Sequence, residues 1–82
     1  MKKNVSILGS TGSIGITSLK IFSKKNKLFK VNILAANKNY RLICKQIKEF
    51  KPEVFIVHDP KIFEKIKKKF KNNKVKIIQN ID

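Results

Sequence analysis

The chain has 82 residues, with twenty Lys or Arg against five Asp or Glu, for a formal net charge of +15. That length fits at most one small domain, below the roughly 100–200 residues of a typical one, and a chain of this size buries only about 60% of its unfolded surface. No apolar run approaches the ~18–20 residues of a membrane span, and a single cysteine, Cys44, excludes an internal disulfide.

In chain order, Met1-Lys2-Lys3 has the look of a signal-peptide start, but the apolar stretch Val5-Ser6-Ile7-Leu8 stops at Gly9, too soon for an h-region. The same stretch reads as a short buried strand that ends at a glycine-rich turn. A helical pattern follows from Ile14 to about Lys25, in which Ile14, Ser18, Ile21 and Phe22 share one face with Leu19 beside them, and Lys20, Lys24 and Lys25 face water. Val31 to Ala36 is a second, almost wholly apolar strand, as expected for one covered on both faces. Tyr40 to about Phe50 is the second helix, with Ile43, Ile47 and Phe50 on one stripe, and Pro52 marks its end because the residue before proline is pushed out of the α region.

Val54 to Val57 is the third strand. Asp59-Pro60 opens the third helix, with Asp59 as N-cap and Pro60 at the first helical position. Ile62, Ile66 and Phe70 form its apolar stripe, Phe63 lies alongside, and the lysines from 65 to 71 cover the rest. Asn72-Asn73 makes a turn, and Val75 to Ile78 is a fourth strand. The order β-α-β-α-β-α-β with short connections predicts an α/β fold: a Rossmann-like parallel sheet with right-handed crossovers, one incomplete half of a doubly wound domain. The pattern leaves open on which side of the sheet the fourth strand docks.

All three glycines of the chain fall in one loop, Gly9-Ser10-Thr11-Gly12-Ser13-Ile14-Gly15, between the first strand and the first helix. The G-x-x-G-x-x-G spacing is a variant of the dinucleotide fingerprint. Gly9 permits a sharp turn, Gly12 leaves no Cβ before a pyrophosphate, and Gly15 lets the helix pack close on the sheet. The N–H groups around Ser13 and Ile14 lie at a helix N-terminus, where the dipole and unpaired donors favour an anion, and Thr11 and Ser13 add hydroxyl donors. The alternative is a tight turn without a ligand.

The second strand should end beside the adenosine ribose, where NAD enzymes usually carry a carboxylate. Here it ends Ala35-Ala36-Asn37-Lys38-Asn39-Tyr40, with no carboxylate and one lysine. A lysine attracts a 2′-phosphate, so NADP(H) is expected over NAD(H). His58 stands at the end of the third strand and reads as a polar strand terminus, and Cys44 reads as a packed thiol. Glu49, Glu53, Asp59, Glu64 and Asp82 are scattered, so no catalytic pair and no metal spacing is expected.

These segments together resemble the 1-deoxy-D-xylulose 5-phosphate reductoisomerase family. Ile7-Leu8-Gly9-Ser10-Thr11-Gly12-Ser13-Ile14-Gly15 resembles the family's opening. Leu34-Ala35-Ala36-Asn37-Lys38-Asn39 is similar to its second cofactor segment, usually Ala-Gly-Lys-Asn, and Gln46 to Glu53 to its Gln-x-x-Glu-Phe-x-Pro stretch. The resemblance implies that Gly9, Ser10, Thr11, Gly12, Ser13 and Ile14, with Asn37, Lys38 and Asn39, bind NADPH. It also implies rearrangement of a sugar phosphate followed by hydride transfer, giving 2-C-methyl-D-erythritol 4-phosphate in isoprenoid precursor biosynthesis. A divalent cation (Mg2+, Mn2+ or Co2+) and a homodimer are implied for the full-length enzyme, with the metal ligands and substrate-holding residues outside this chain.

Two departures stand out. Asn37 replaces the family's usual glycine, at a turn where asparagine tolerates a left-handed backbone. The family's enzymes also run to several hundred residues, so residues 1–82 read as the amino-terminal part of an NADPH-binding domain, inactive alone.

The sequence is compatible with two other readings. One is a different NADP-linked oxidoreductase or epimerase sharing the loop. The other is a small basic protein that binds nucleic acid or a membrane surface. Against the latter, Arg41 is the only arginine, whereas nucleic-acid readers rely on arginine for bidentate contacts. Lys, Asn and Ile share A/T-rich codons, and most of the charge reads as solvated helix surface. No Arg- and Ser-rich transit segment precedes the first strand, so a cytoplasmic location is expected, with neither nucleic acid nor membrane as partner.

Overall fold

The computed structural model describes residues 2–79; Met1 and Asp82, named above, lie outside them. Seven elements alternate: β1 (Lys3–Leu8), α1 (Ser13–Lys24), β2 (Phe29–Ala36), α2 (Tyr40–Phe50), β3 (Val54–Val57), α3 (Pro60–Lys69) and β4 (Lys76–Gln79). The strands form one parallel sheet in the order β1-β2-β3-β4. This is the Rossmann-like α/β arrangement that the pattern predicts. β1 and β2 start earlier than their apolar runs, because Lys3 and Asn4 pair with Phe29 and Lys30 through the backbone alone.

The fourth strand docks outside β3, so each crossover advances one strand in the same direction. Right-handed crossovers of that kind put every helix on one face of the sheet. The core agrees: Leu19 of α1, Ile43 and Ile47 of α2, and Ile66 of α3 join Ile7, Leu34, Phe55 and Val57 in one buried cluster. Ile7, Leu34, Phe55 and Ile77 are successive register partners, so they share the covered face. A bulge between Val5 and Ser6 skips Asn32 and brings both Val31 and Leu34 into the core.

The opposite face carries Leu8, Ala35, Ile56 and Ile78, also register partners. No element among the described residues covers it, and Leu8 is 78% exposed.

The first helix departs from its sequence pattern. Ile14 and Ile21 are 84% and 51% exposed, while Gly15 and Leu19 are buried. The cause is Gly15. A Cβ there would stand 2.8 Å from Ser10 Cα and overlap the Gly9 carbonyl, so the glycine lets α1 lie directly on the loop and fixes which stripe faces inward. The second helix ends as expected before Pro52, but through Lys51 in a left-handed conformation (φ 47°), with its N–H donating to Ile47 O.

Candidate functional site

Leu8 and Ala35 are register partners at the carboxyl ends of β1 and β2. The glycine loop and the Asn37–Asn39 segment, which follow these two strands, are therefore neighbours at one edge of the sheet. Gly9 turns the chain off β1 with φ +69°, a backbone that favours glycine. Its carbonyl accepts from Gly12 N–H at 3.0 Å, closing a tight turn. Gly12 is the N-cap of α1 and supplies no side-chain acceptor, and the first turn of α1 holds no acidic residue. Ser13, Ile14 and Gly15 N–H have no hydrogen-bond acceptor among the described residues. These donors and the helix dipole make the loop a place for an anion.

The expected cofactor residues divide into two sets. Gly9, Gly12, Ser13 and Ile14 are exposed, Thr11 is half-buried, and Asn37, Lys38 and Asn39 are exposed. Ser10, by contrast, is fully buried. Its N–H donates to Ala35 O at 2.9 Å and its carbonyl accepts from Gln46 Nε2 at 2.7 Å. Ser10 therefore anchors the loop from behind, and its side chain presents nothing at the surface.

An open cleft of about 720 Å³ runs past Gly9, Gly12, Ser13 and Ile14 along the free edge of β1. A groove of about 330 Å³ between α1 and α2 is lined by Leu19, Leu42 and Phe50. Neither cavity is lined by Asn37, Lys38 or Asn39, so the case for a ligand that reaches both segments rests on the loop's free N–H groups and on the strand register, not on either cavity.

In the second segment, the left-handed backbone considered for Asn37 is absent: Lys51 is the one non-glycine residue with positive φ among the described residues. The Asn37 carbonyl instead accepts from Asp59 N–H at 3.1 Å. Asn39 has a structural task, because its Oδ1 accepts from Leu42 N–H at 3.2 Å and caps α2. Lys38 is exposed, and the one ion pair found among the described residues is Lys30–Glu53. Asp59 is the carboxylate nearest Asn37 along this edge, and it is turned onto its own helix, where Oδ2 accepts from Ile62 N–H at 3.0 Å. The rim beside Lys38 is thus positive. His58 follows β3 on the same edge, exposed, with its N–H on Ala36 O.

Gln46 is the residue that the sequence reading missed as part of this site. It belongs to the buried face of α2 with Ile43 and Ile47. A polar residue at i+3 of an apolar stripe was the available signal.

No group of three or more His, Cys, Asp or Glu that could hold a metal exists among the described residues.

The family model for 1-deoxy-D-xylulose 5-phosphate reductoisomerase matches residues 5–81. The chain is 45% identical over 80 residues to the 1-deoxy-D-xylulose 5-phosphate reductoisomerase of Pelagibacter ubique, covering 98% of this chain and 21% of the relative. It is 42% identical over 74 residues to the apicoplastic reductoisomerase of Plasmodium falciparum, covering 87% of this chain and 15% of that protein. Among solved structures, the reductoisomerase of Zymomonas mobilis in complex with NADPH superposes with a TM-score of 0.89 at 24% identity, over 98% of this chain and 21% of that one, which bears on the fold. The chain spans about a fifth of the length of such relatives. The match over residues 5–81, with the glycine loop and the Asn37–Asn39 segment side by side, makes this chain a member of the 1-deoxy-D-xylulose 5-phosphate reductoisomerase family.

Proposed function

We propose that residues 1–82 form the amino-terminal part of the NADPH-binding domain of a reductoisomerase that converts 1-deoxy-D-xylulose 5-phosphate into 2-C-methyl-D-erythritol 4-phosphate. The observation that carries the reading is the pairing of an uncapped helix start with the exposed Lys38 on one sheet edge. Thr11, Ser13 and Ile14 receive the pyrophosphate through backbone N–H groups, with Gly12 leaving room for its approach and Gly9 shaping the turn. Lys38 faces the 2′-phosphate, and Asn37 and Asn39 flank the ribose.

NADPH bound here supplies the hydride for the reductive half of the reaction. This chain binds and orients the cofactor, and its described residues bring together no acid/base pair for the rearrangement. The cation, the sugar-phosphate contacts and a second subunit belong to the remainder of such an enzyme. Relatives solved with NADPH and magnesium support the cofactor assignment by analogy. A cytoplasmic location is part of the same reading: no helix among the described residues is long and apolar enough to cross a membrane, although the Plasmodium relative is named apicoplastic. The two alternative readings, another NADP-linked enzyme and a basic nucleic-acid or membrane-surface binder, have no support from the family match.

Titration of the chain with NADPH and NADH tests the proposal. NADPH should bind more tightly. Lys38→Ala should weaken NADPH about tenfold, the scale of one charge-assisted phosphate contact, and leave NADH unchanged. Equal affinity for the two cofactors would sink the assignment of Lys38.

A further inference from the structure

We propose that Gln46 is a positioning residue that aims the Thr11 N–H at the cofactor pyrophosphate. The inference rests on the cofactor reading above and assigns a role to a side chain that never touches the ligand.

Ser10 C=O and Thr11 N–H belong to the same peptide bond, and no cis peptide occurs among the described residues. In a planar trans peptide the C=O and N–H point in opposite directions. Gln46 Nε2 holds the Ser10 carbonyl at 2.7 Å, inside the protein, across a separation of 36 residues. The Thr11 N–H of the same unit is therefore directed away from α2, toward the outer side of the loop. It has no hydrogen-bond acceptor among the described residues, so it is free to donate to a ligand.

The neighbouring constraints leave this peptide as the adjustable one. Gly9 is fixed by its turn to Gly12, and Ser10 N–H is fixed on Ala35 O. Gly15 and α1 block movement from the other side. Rotation of the Ser10–Thr11 peptide would exchange its donor for a carbonyl oxygen, which repels a phosphate. The Gln46 amide is what opposes that rotation.

Burial adds a second, independent observation. Gln46 is 5% exposed and Ser10 is fully buried, yet Gln46 Oε1 and Ser10 Oγ have no hydrogen-bond partner. An apolar residue at 46 would remove the unpaired Oε1 but would leave the buried Ser10 carbonyl without its donor. The one hydrogen bond this side chain makes is thus the one to that loop carbonyl.

α2 also links the two halves of the site. Its first turn is capped by Asn39, next to Lys38, and Gln46 lies about two turns along the same helix. One rigid element thus holds both the loop and the start of the 2′-phosphate segment.

The test uses NADP+ titrations of the 82-residue chain, with folding followed by far-UV circular dichroism. Gln46→Leu removes the donor and should weaken NADP+ and NAD+ alike, by about tenfold, leaving their ratio unchanged. Gln46→Glu carries a pH signature. A protonated carboxyl can donate to Ser10 O, whereas a carboxylate repels it, and burial raises the pKa of that carboxyl. Relative to the wild-type chain at each pH, Gln46→Glu should bind NADP+ almost normally near about pH 5.5 and about tenfold more weakly near about pH 8. Circular dichroism at each pH separates positioning from unfolding: a structural role alone would lower affinity only in step with the folded fraction. In the wild-type chain, NADP+ should shift the Thr11 amide resonance, a measurement that stands even where a variant fails to fold. An unmoved Thr11 resonance on saturation, or folded variants with wild-type affinity at every pH, would overturn the inference and leave the cofactor reading intact. Failure of the wild-type chain to bind NADP+ would overturn the cofactor reading first, and the inference with it.

Discussion

The starts of α1 and α3 solve the same problem in opposite ways. Both helices follow a strand at the same edge of the sheet and begin with unpaired N–H groups. At α3, Asp59 caps the helix and Pro60 removes one donor. At α1, Gly12 stands at the cap with no side chain, and no acidic residue follows. A carboxylate closes the helix start that only has to begin, and the one beside Lys38 is left able to take an anion from outside. A sequence that alternates strands and helices regularly still marks one of its turns as different.

Gly12→Asp is the strongest way to break that contrast. A side chain fits, since a Cβ at Gly12 would stand 3.4 Å from Gly9 O. The new carboxylate should cap α1 and raise stability by a few tenths of a kcal/mol. It should also repel the pyrophosphate by several kcal/mol, lowering NADPH affinity about 100-fold or more. Thermal melts and NADPH titrations should therefore move in opposite directions; a variant that still binds normally would show that the open helix start is not used.

The reverse change is smaller. Asp59→Ala removes the cap bond to Ile62 N–H and should cost about 1 kcal/mol of stability. NADPH affinity of the folded chain should not change, because this helix start faces no ligand. A matching loss of affinity would make α3 part of the site.

The smallest effect concerns α2, whose start is capped by Asn39. Tyr40, the only tyrosine, has a phenol held above its ordinary pKa, chiefly by a hydrogen bond with Cys44, with desolvation and the Cys44 charge adding to it. A phenol with a raised folded-state pKa favours its neutral form. Its contribution to stability is present below the ordinary value of about 10 and is lost as pH rises through the raised one. Ultraviolet titration of the phenolate should show a midpoint above about 10, and Cys44→Ala should bring it down.

Local signals carried most of this architecture in the sequence. Glycines cluster where the backbone must turn and be approached closely, and Asp59-Pro60 announces a helix whatever surrounds it. The inward face of α1 was not legible, because Ile14 and Ile21 form a plausible apolar stripe and only the contact between Gly15 and the loop decides against it. The position of β4 was equally hidden, since a short crossover can advance in either direction. Asn39 illustrates a third limit: a side chain beside a ribose site can also cap a helix, and the cap at its Oδ1 became visible only with the fold. Gln46 required the fold itself, because its partner lies 36 residues away.

The strand order has a consequence for how the chain acquires its shape. Among the described residues, β2 and β3 each pair with the strands before and after them, and β1 and β4 have one neighbour each. Every ladder among the described residues therefore closes a single crossover. Such a sheet can be zipped up in the order of synthesis, one β-α unit at a time. Its sequence separations are short for a parallel sheet, a topology in which long loop closures usually slow folding.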